Sequence, residues 1–142
     1  CDANRRNCEL ALDLWGVELA YGFFQNVFAG SRVDVVAMLD VLEHTPTPRA
    51  DLAKAHDVLR PGGLLVVKTF YDEYHSTIPV NIADHAAWSD LNHGYFDPIG
   101  HLHHFDEPVL LALIERCGFR VEWTTREIHV GQVTVYARRI VP

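Results

Sequence analysis

Two short stretches concentrate side chains able to move protons or hold metal ions: Asp40-Val-Leu-Glu-His44 and His101-Leu-His-His-Phe105. His44 suits general-base work, because an imidazole titrates near neutral pH. The competing reading is that His44 hydrogen-bonds locally and orders its own loop. Asp40 closes an apolar run, so its carboxylate must face a cleft or find a partner. Glu43 can accept a bond from a ligand or cap the helix that follows. In the second stretch, extended backbone would put His101 and His103 on one side, which invites a metal reading. No matching distal ligands are evident, so the expectation is no metal. His101 is then a substrate-side wall and His103 a second candidate base. The simpler alternative is that this stretch merely enters the next helix, with Phe105 packing inward.

The elements that must carry these groups are legible from periodicity. Val33–Asp40 and Gly63–Phe70 are near-continuous apolar runs, as expected of parallel strands buried on both faces. Between them, Thr45-Pro-Thr-Pro breaks the chain and Pro48 can sit in a helix's first turn. Leu52, Ala55 and Leu59 mark that helix's inner face, and Pro61-Gly-Gly ends it. The whole spells a βαβ unit near the minimum crossover length. Upstream, Cys8, Ala11, Leu12 and Trp15 recur at helical spacing, Gly16 supplies a stop, and Val17–Tyr21 reads as a short strand. Downstream, residues 71–105 are irregular and rich in Tyr, Trp, Phe and His, as lids and binding loops are; residues 82–91 could form a short helix there. Asp106 is the expected N-cap of a helix lined by Val109, Leu110, Leu113, Ile114 and Cys117 and closed by Gly118. Val121, Trp123 and Thr125 alternate, as do Val133, Val135 and Ala137, so a hairpin turning at 129–131 is expected, with Trp123 in the core. The class is α/β, a mostly parallel sheet closed by one antiparallel C-terminal hairpin.

Composition narrows the function. The 142 residues are 49% hydrophobic and 22% charged, with a net charge of −7, ordinary for one globular domain. The negative charge argues against nucleic acid as a partner, and no apolar stretch is long enough for a membrane span. A small-molecule substrate fits this balance. Three widely spaced cysteines (Cys1, Cys8, Cys117) form no disulfide framework, so a reducing cytoplasm is the default compartment. Cys8 and Cys117 fall on apolar helix faces and are expected to be buried thiols. Sheet-edge and lid residues offer a surface for a homodimer, though no pattern demands one.

Asp34-Val-Val-Ala-Met-Leu-Asp-Val-Leu-Glu-His44, followed by Leu59-Arg-Pro-Gly-Gly-Leu-Leu-Val-Val67, resembles the class I S-adenosylmethionine-dependent methyltransferases. The subgroup it resembles carries a Val-Leu-Glu-His loop after its fourth strand and an Arg-Pro-Gly-Gly turn before its fifth, and the stretch His101-Leu-His-His-Phe105 and the helix ending Cys117-Gly-Phe-Arg-Val121 resemble the later part of the same subgroup. The resemblance runs from about Asp2 to Arg139 and implies a Rossmann-like fold with S-adenosyl-L-methionine as cofactor. It implies that Asp2 ends the family's second strand and accepts bonds from the cofactor ribose, as a carboxylate at a strand's carboxyl end can. Phe23 stands where many relatives carry an acidic residue; Phe23 or Phe24 could stack on adenine, or simply pack in the core. Leu39, Asp40 and Glu43, with His44, would lie under the methionine moiety and beside the acceptor.

Tyr71, His75 and Tyr95, with His101, are then the candidate substrate-binding residues, and 71–105 the substrate loop or lid. The family's first strand and Gly-rich loop have no counterpart here, so the chain is expected to be the C-terminal two-thirds of a methyltransferase domain, a fragment of a longer protein. Asp40, Glu43 and His44 also sit at a spacing resembling the Glu-x-x-Glu-His metal site of ubiquinone-pathway O-methyltransferases. The function implied is methyl transfer to a small metabolite, most readily at oxygen. The alternatives are a non-catalytic methyltransferase-like module and a metal-dependent hydrolase built on the histidines.

Overall fold

The computed structural model describes residues 1–70, 101–128 and 131–140. Among the described residues, three α-helices, α1 (Arg5–Trp15), α2 (Pro48–Val58) and α3 (Glu107–Arg116), accompany four strands: β1 (Val33–Leu39), β2 (Leu59–Phe70), β3 (Phe119–Glu127) and β4 (Gln132–Arg139). The strands form one sheet in the order β1-β2-β4-β3. β1 and β2 run parallel, whereas β4 pairs antiparallel with both β2 and β3. The expected α/β class and βαβ unit are present. The expected parallel majority is not: among the described residues, two of the three strand pairings are antiparallel. The expected antiparallel C-terminal hairpin closes this end of the sheet, with β4 beside β2 and β3 at the edge.

The βαβ unit follows from local chemistry. Pro48 opens α2, and Leu52, Ala55 and Leu59 are fully buried. Val33 pairs with Leu59, but Val35 pairs with Leu64. Residues 60–63 therefore loop out of β2, and the Pro-Gly-Gly turn survives as a bulge inside the strand. Gly62 has φ +74, and a Cβ on Gly63 would lie 2.9 Å from the Arg60 carbonyl oxygen, so neither position suits a larger residue. Leu65 and Val67 of β2 and Val133, Val135 and Ala137 of β4 present one face. They form a single core with Leu42, Leu52, Phe105, Leu110, Ile114 and Phe119.

Several expectations change at the elements' ends. Asp2 and Tyr21 make one isolated parallel bridge instead of a strand at 17–21. Asn4 caps α1 by accepting from the Arg6 amide at 2.9 Å, so the chain turns into a helix immediately after Asp2. α1 buries only Ala11, leaving Leu12 and Trp15 exposed. Asp106 is the N-cap of α3, but its side chain makes no capping bond. Cys8 and Cys117 are half-buried rather than enclosed, and burial raises the Cys117 thiol above its ordinary value despite the nearby charge of Arg49. Trp123 is not core. The β3–β4 register slips between Val121 and Trp123, so Trp123 faces Tyr136 and stacks on it at 4.6 Å. One inserted residue moves the next side chain to the opposite face from Val135 and Ala137.

Candidate active site

β1 delivers the first group of site residues. Its last residue, Leu39, is exposed, and Asp40 follows with φ +52. That conformation is uncommon for a non-glycine residue and more accessible to aspartate than to most. The Asp40 amide donates to the Lys68 carbonyl at 2.9 Å, and its carboxylate accepts from Gln132 Nε2 at 3.1 Å. Asp40 thus has a partner on β4, but Asp40 itself is exposed, so its carboxylate is not the buried group that its place at the end of an apolar run suggested. A single 3₁₀ turn, Leu42–His44, then reverses the chain. Leu42 anchors it in the core, Glu43 points inward and His44 outward.

The backbone of this turn gathers the second histidine stretch. The Glu43 carbonyl accepts from the Leu102 amide at 2.8 Å and the His103 amide at 3.1 Å. Phe105 is buried as expected, which pins the other end of that stretch. The clasp brings the His44 and His101 rings to 4.7 Å between centroids, with Phe70 at 5.6 Å and His104 at 6.4 Å from His101. Ligand atoms of Glu43, His44 and His101 all lie within 4.8 Å of one another. The Glu43 side chain is 2% exposed, and neither carboxylate oxygen has a hydrogen-bond partner. His103 takes another course: its ring stacks on Phe105 and its Nε2 is buried without a partner.

The remaining site candidates divide. Asp2 Oδ1 accepts from the Asn4 amide at 2.7 Å and Oδ2 from Asn7 Nδ2 at 3.0 Å. The Asn4 bond first, and the Asn7 bond second, hold the Asp2 carboxyl below its usual range. Phe23 is 69% exposed, while Phe24 packs against the core. Tyr71, His75 and Tyr95 lie outside the described residues. Sequence reasoning missed three features: the Gln132 partner of Asp40, the Glu43 carbonyl clasp, and the buried, unpartnered hydroxyl of Thr69 on β2. Only the last had a signal, a polar residue inside an apolar strand.

Ionisable groups gathered in the loop after a parallel strand of an α/β sheet stand where ligands bind in Rossmann-like folds, at the strands' carboxyl ends. Residues 4–123 match the family model described as a methyltransferase domain. The chain belongs to that family, the class I S-adenosylmethionine-dependent methyltransferases. A solved S-adenosylmethionine-dependent methyltransferase from Methanosarcina mazei superposes with a TM-score of 0.71 at 18% identity, over 99% of this chain and 81% of that one. The 1,6-didemethyltoxoflavin-N1-methyltransferase of Burkholderia thailandensis, solved with S-adenosylhomocysteine, gives 0.65 at 19% identity, over 96% of this chain and 57% of that one. The ubiquinone biosynthesis O-methyltransferase of Cereibacter sphaeroides is 46% identical over 41 residues, 29% of this chain. That match takes in 17% of the relative's length. No helix among the described residues is long and apolar enough to cross a membrane.

Proposed function

We propose that the protein carrying this chain transfers the methyl group of S-adenosylmethionine to an oxygen of a small-molecule acceptor. The observation that carries the reading is the placement of His44, exposed beside His101, in the turn that follows β1. A sulfonium methyl is already a good electrophile, so the protein's main tasks are alignment and proton removal. Alignment can contribute about 7–11 kcal/mol to such a displacement. The acceptor oxygen bonds to the methyl carbon, the carbon–sulfur bond breaks, and sulfur keeps the electron pair. The acceptor's proton passes to the His44 imidazole and then to solvent. A base so placed contributes roughly 10²–10⁴-fold. His103 is the weaker candidate, because its ring is stacked on Phe105.

The residues present fit the cofactor at two points. Phe23 offers an exposed ring for the adenine, and Leu39 exposes apolar surface at the end of β1. Asp2 stands as the ribose acceptor, though both its oxygens already hold local partners; a ribose must share or displace them. The local match to ubiquinone biosynthesis O-methyltransferases supports oxygen as the acceptor atom. Residues 71–105, including Tyr71, His75 and Tyr95, are proposed to supply the substrate contacts.

The test is turnover of the full-length protein with S-adenosylmethionine and a panel of hydroxylated and aminated aromatic acceptors, followed by mass spectrometry. A mass gain of one methyl group on a hydroxylated member is expected, matched by S-adenosylhomocysteine. Methylation confined to amines would overturn the oxygen assignment.

A further inference from the structure

We infer that Asn7 is a positioning residue for the cofactor: its side-chain amide holds the Asp2 carboxylate in the orientation that accepts the two ribose hydroxyls of S-adenosylmethionine. This role rests on the proposed methyl transfer and on Asp2 as the ribose acceptor. The Asp2 backbone is fixed from one side. Its amide donates to the Ala20 carbonyl at 3.1 Å, and its carbonyl accepts from the Gly22 amide at 2.9 Å. The side chain is fixed from the other. The Asn4 amide donates to Oδ1 at 2.7 Å, and Asn7 Nδ2 donates to Oδ2 at 3.0 Å. The first bond uses a backbone donor, which any residue but proline supplies. The second needs a donor side chain at this one position in the first turn of α1. Held at Oδ1 alone, the carboxylate pivots about that bond; the second bond fixes its plane.

The arrangement leaves room for a diol. An ionised carboxylate has about four lone-pair sites on its two oxygens. One neutral donor on each oxygen leaves each able to accept one more, which suits a pair of adjacent hydroxyls. Asp2 is half-buried and Asn7 exposed, so a ligand can approach from solvent.

The kind of donor matters too. Arg5 and Arg6 stand between Asp2 and Asn7 in the chain, yet neither is spent on the carboxylate. The Arg5 guanidinium lies over the Tyr21 ring, 5.0 Å from its centroid, and Arg6 pairs with Glu9 at 3.5 Å. No ion pair among the described residues includes Asp2. A guanidinium would grip both oxygens in a fork and compete with the ribose. A carboxamide donates one bond and leaves the other sites open. The Asn4 bond first, and the Asn7 bond second, also keep the carboxyl ionised to lower pH, and so a pure acceptor.

Calorimetric titration of the full-length protein with S-adenosylhomocysteine and with its 2′,3′-dideoxy analogue tests the role. Alanine is the stronger helix former, so Asn7→Ala leaves α1 intact, and circular dichroism checks this. Asn7→Ala should weaken S-adenosylhomocysteine binding roughly 2- to 10-fold, the effect of ordering one more side chain on binding. Binding of the dideoxy analogue should not change, whereas a merely structural role would weaken both ligands. Asp2→Ala combined with Asn7→Ala should bind S-adenosylhomocysteine no more weakly than Asp2→Ala alone. If the analogue binds too weakly to titrate, this double variant decides. Equal weakening of both ligands, unchanged S-adenosylhomocysteine binding in Asn7→Ala, or additive losses in the double variant would overturn the role alone. No binding by the folded wild type would overturn the methyltransferase reading and this role with it.

Discussion

Replacing Arg126 by alanine tests how α3 is anchored next to the site. Arg126 on β3 donates from Nε to Glu107 Oε2 at 2.6 Å and from Nη2 to Oε1 at 2.8 Å. The Glu107 side chain is 8% exposed and that of Arg126 49%. Alanine therefore leaves a nearly buried carboxylate without its two donors. Breaking a fully buried pair costs about 3–5 kcal/mol, and breaking an exposed one about 0–1. Here one partner is half in solvent, and Glu107 sits in the first turn of α3, where the helix dipole favours negative charge. The expected loss is about 2 kcal/mol, between those limits. In a domain of this size that lowers Tm by roughly 4–8 °C. Arg126→Lys keeps the charge but not the two-pronged geometry and should fall between wild type and alanine. Urea unfolding of the full-length protein, followed by far-ultraviolet circular dichroism, measures the difference. Glu107 lies two residues beyond Phe105, and the 101–105 stretch is fastened to Glu43. The Leu102 and His103 amides should therefore exchange hydrogen faster in the alanine variant. A loss below about 0.5 kcal/mol, with unchanged exchange, would refute the reasoning.

Gly118 has φ +88, and a Cβ there would meet the His56 ring at 2.9 Å. Gly118→Ala should cost at least about 1–2 kcal/mol from backbone handedness alone, read from the same unfolding curves, and Gly118→Ala with His56→Ala should recover only the steric part. The Asp2 carboxyl is held below its usual range by Asn4 and Asn7. Its contribution to stability is therefore present above the unfolded-state pKa and lost as pH falls through the folded one. Asp2→Asn should flatten that acid limb in a Tm-against-pH series and leave the neutral region nearly parallel to wild type. His44→Asn should lower kcat by about 10²–10⁴-fold while binding of S-adenosylhomocysteine stays within a few-fold, as separate kinetic and calorimetric measurements would show.

What the sequence revealed depended on how far apart the cooperating residues lie. The β1–α2–β2 unit was legible because apolar runs, Pro48 and Pro61-Gly-Gly are local signals for strand, helix start and turn. The same holds for α3 and Gly118, and for the β3–β4 hairpin. The sheet's order was not legible, since nothing local says that β4 inserts beside β2. Trp123 was misread because one slipped residue reverses a period-two pattern, and a bulge leaves no mark when the flanking residues still alternate. At the site, the Asp40-to-His44 turn could be read from the end of an apolar strand. Its closure by His101 could not, because it depends on the Glu43 carbonyl capturing two amides from a distant segment. The Asp40–Gln132 contact spans 92 positions and carries no compositional trace.

Calorimetric titration of the full-length protein with S-adenosylhomocysteine tests the central claim most directly. A saturable one-to-one isotherm is expected, weakened in Asp2→Ala and in Phe23→Ala with folding intact. No heat from a folded full-length protein, at ligand concentrations well above those at which other class members saturate, would contradict it.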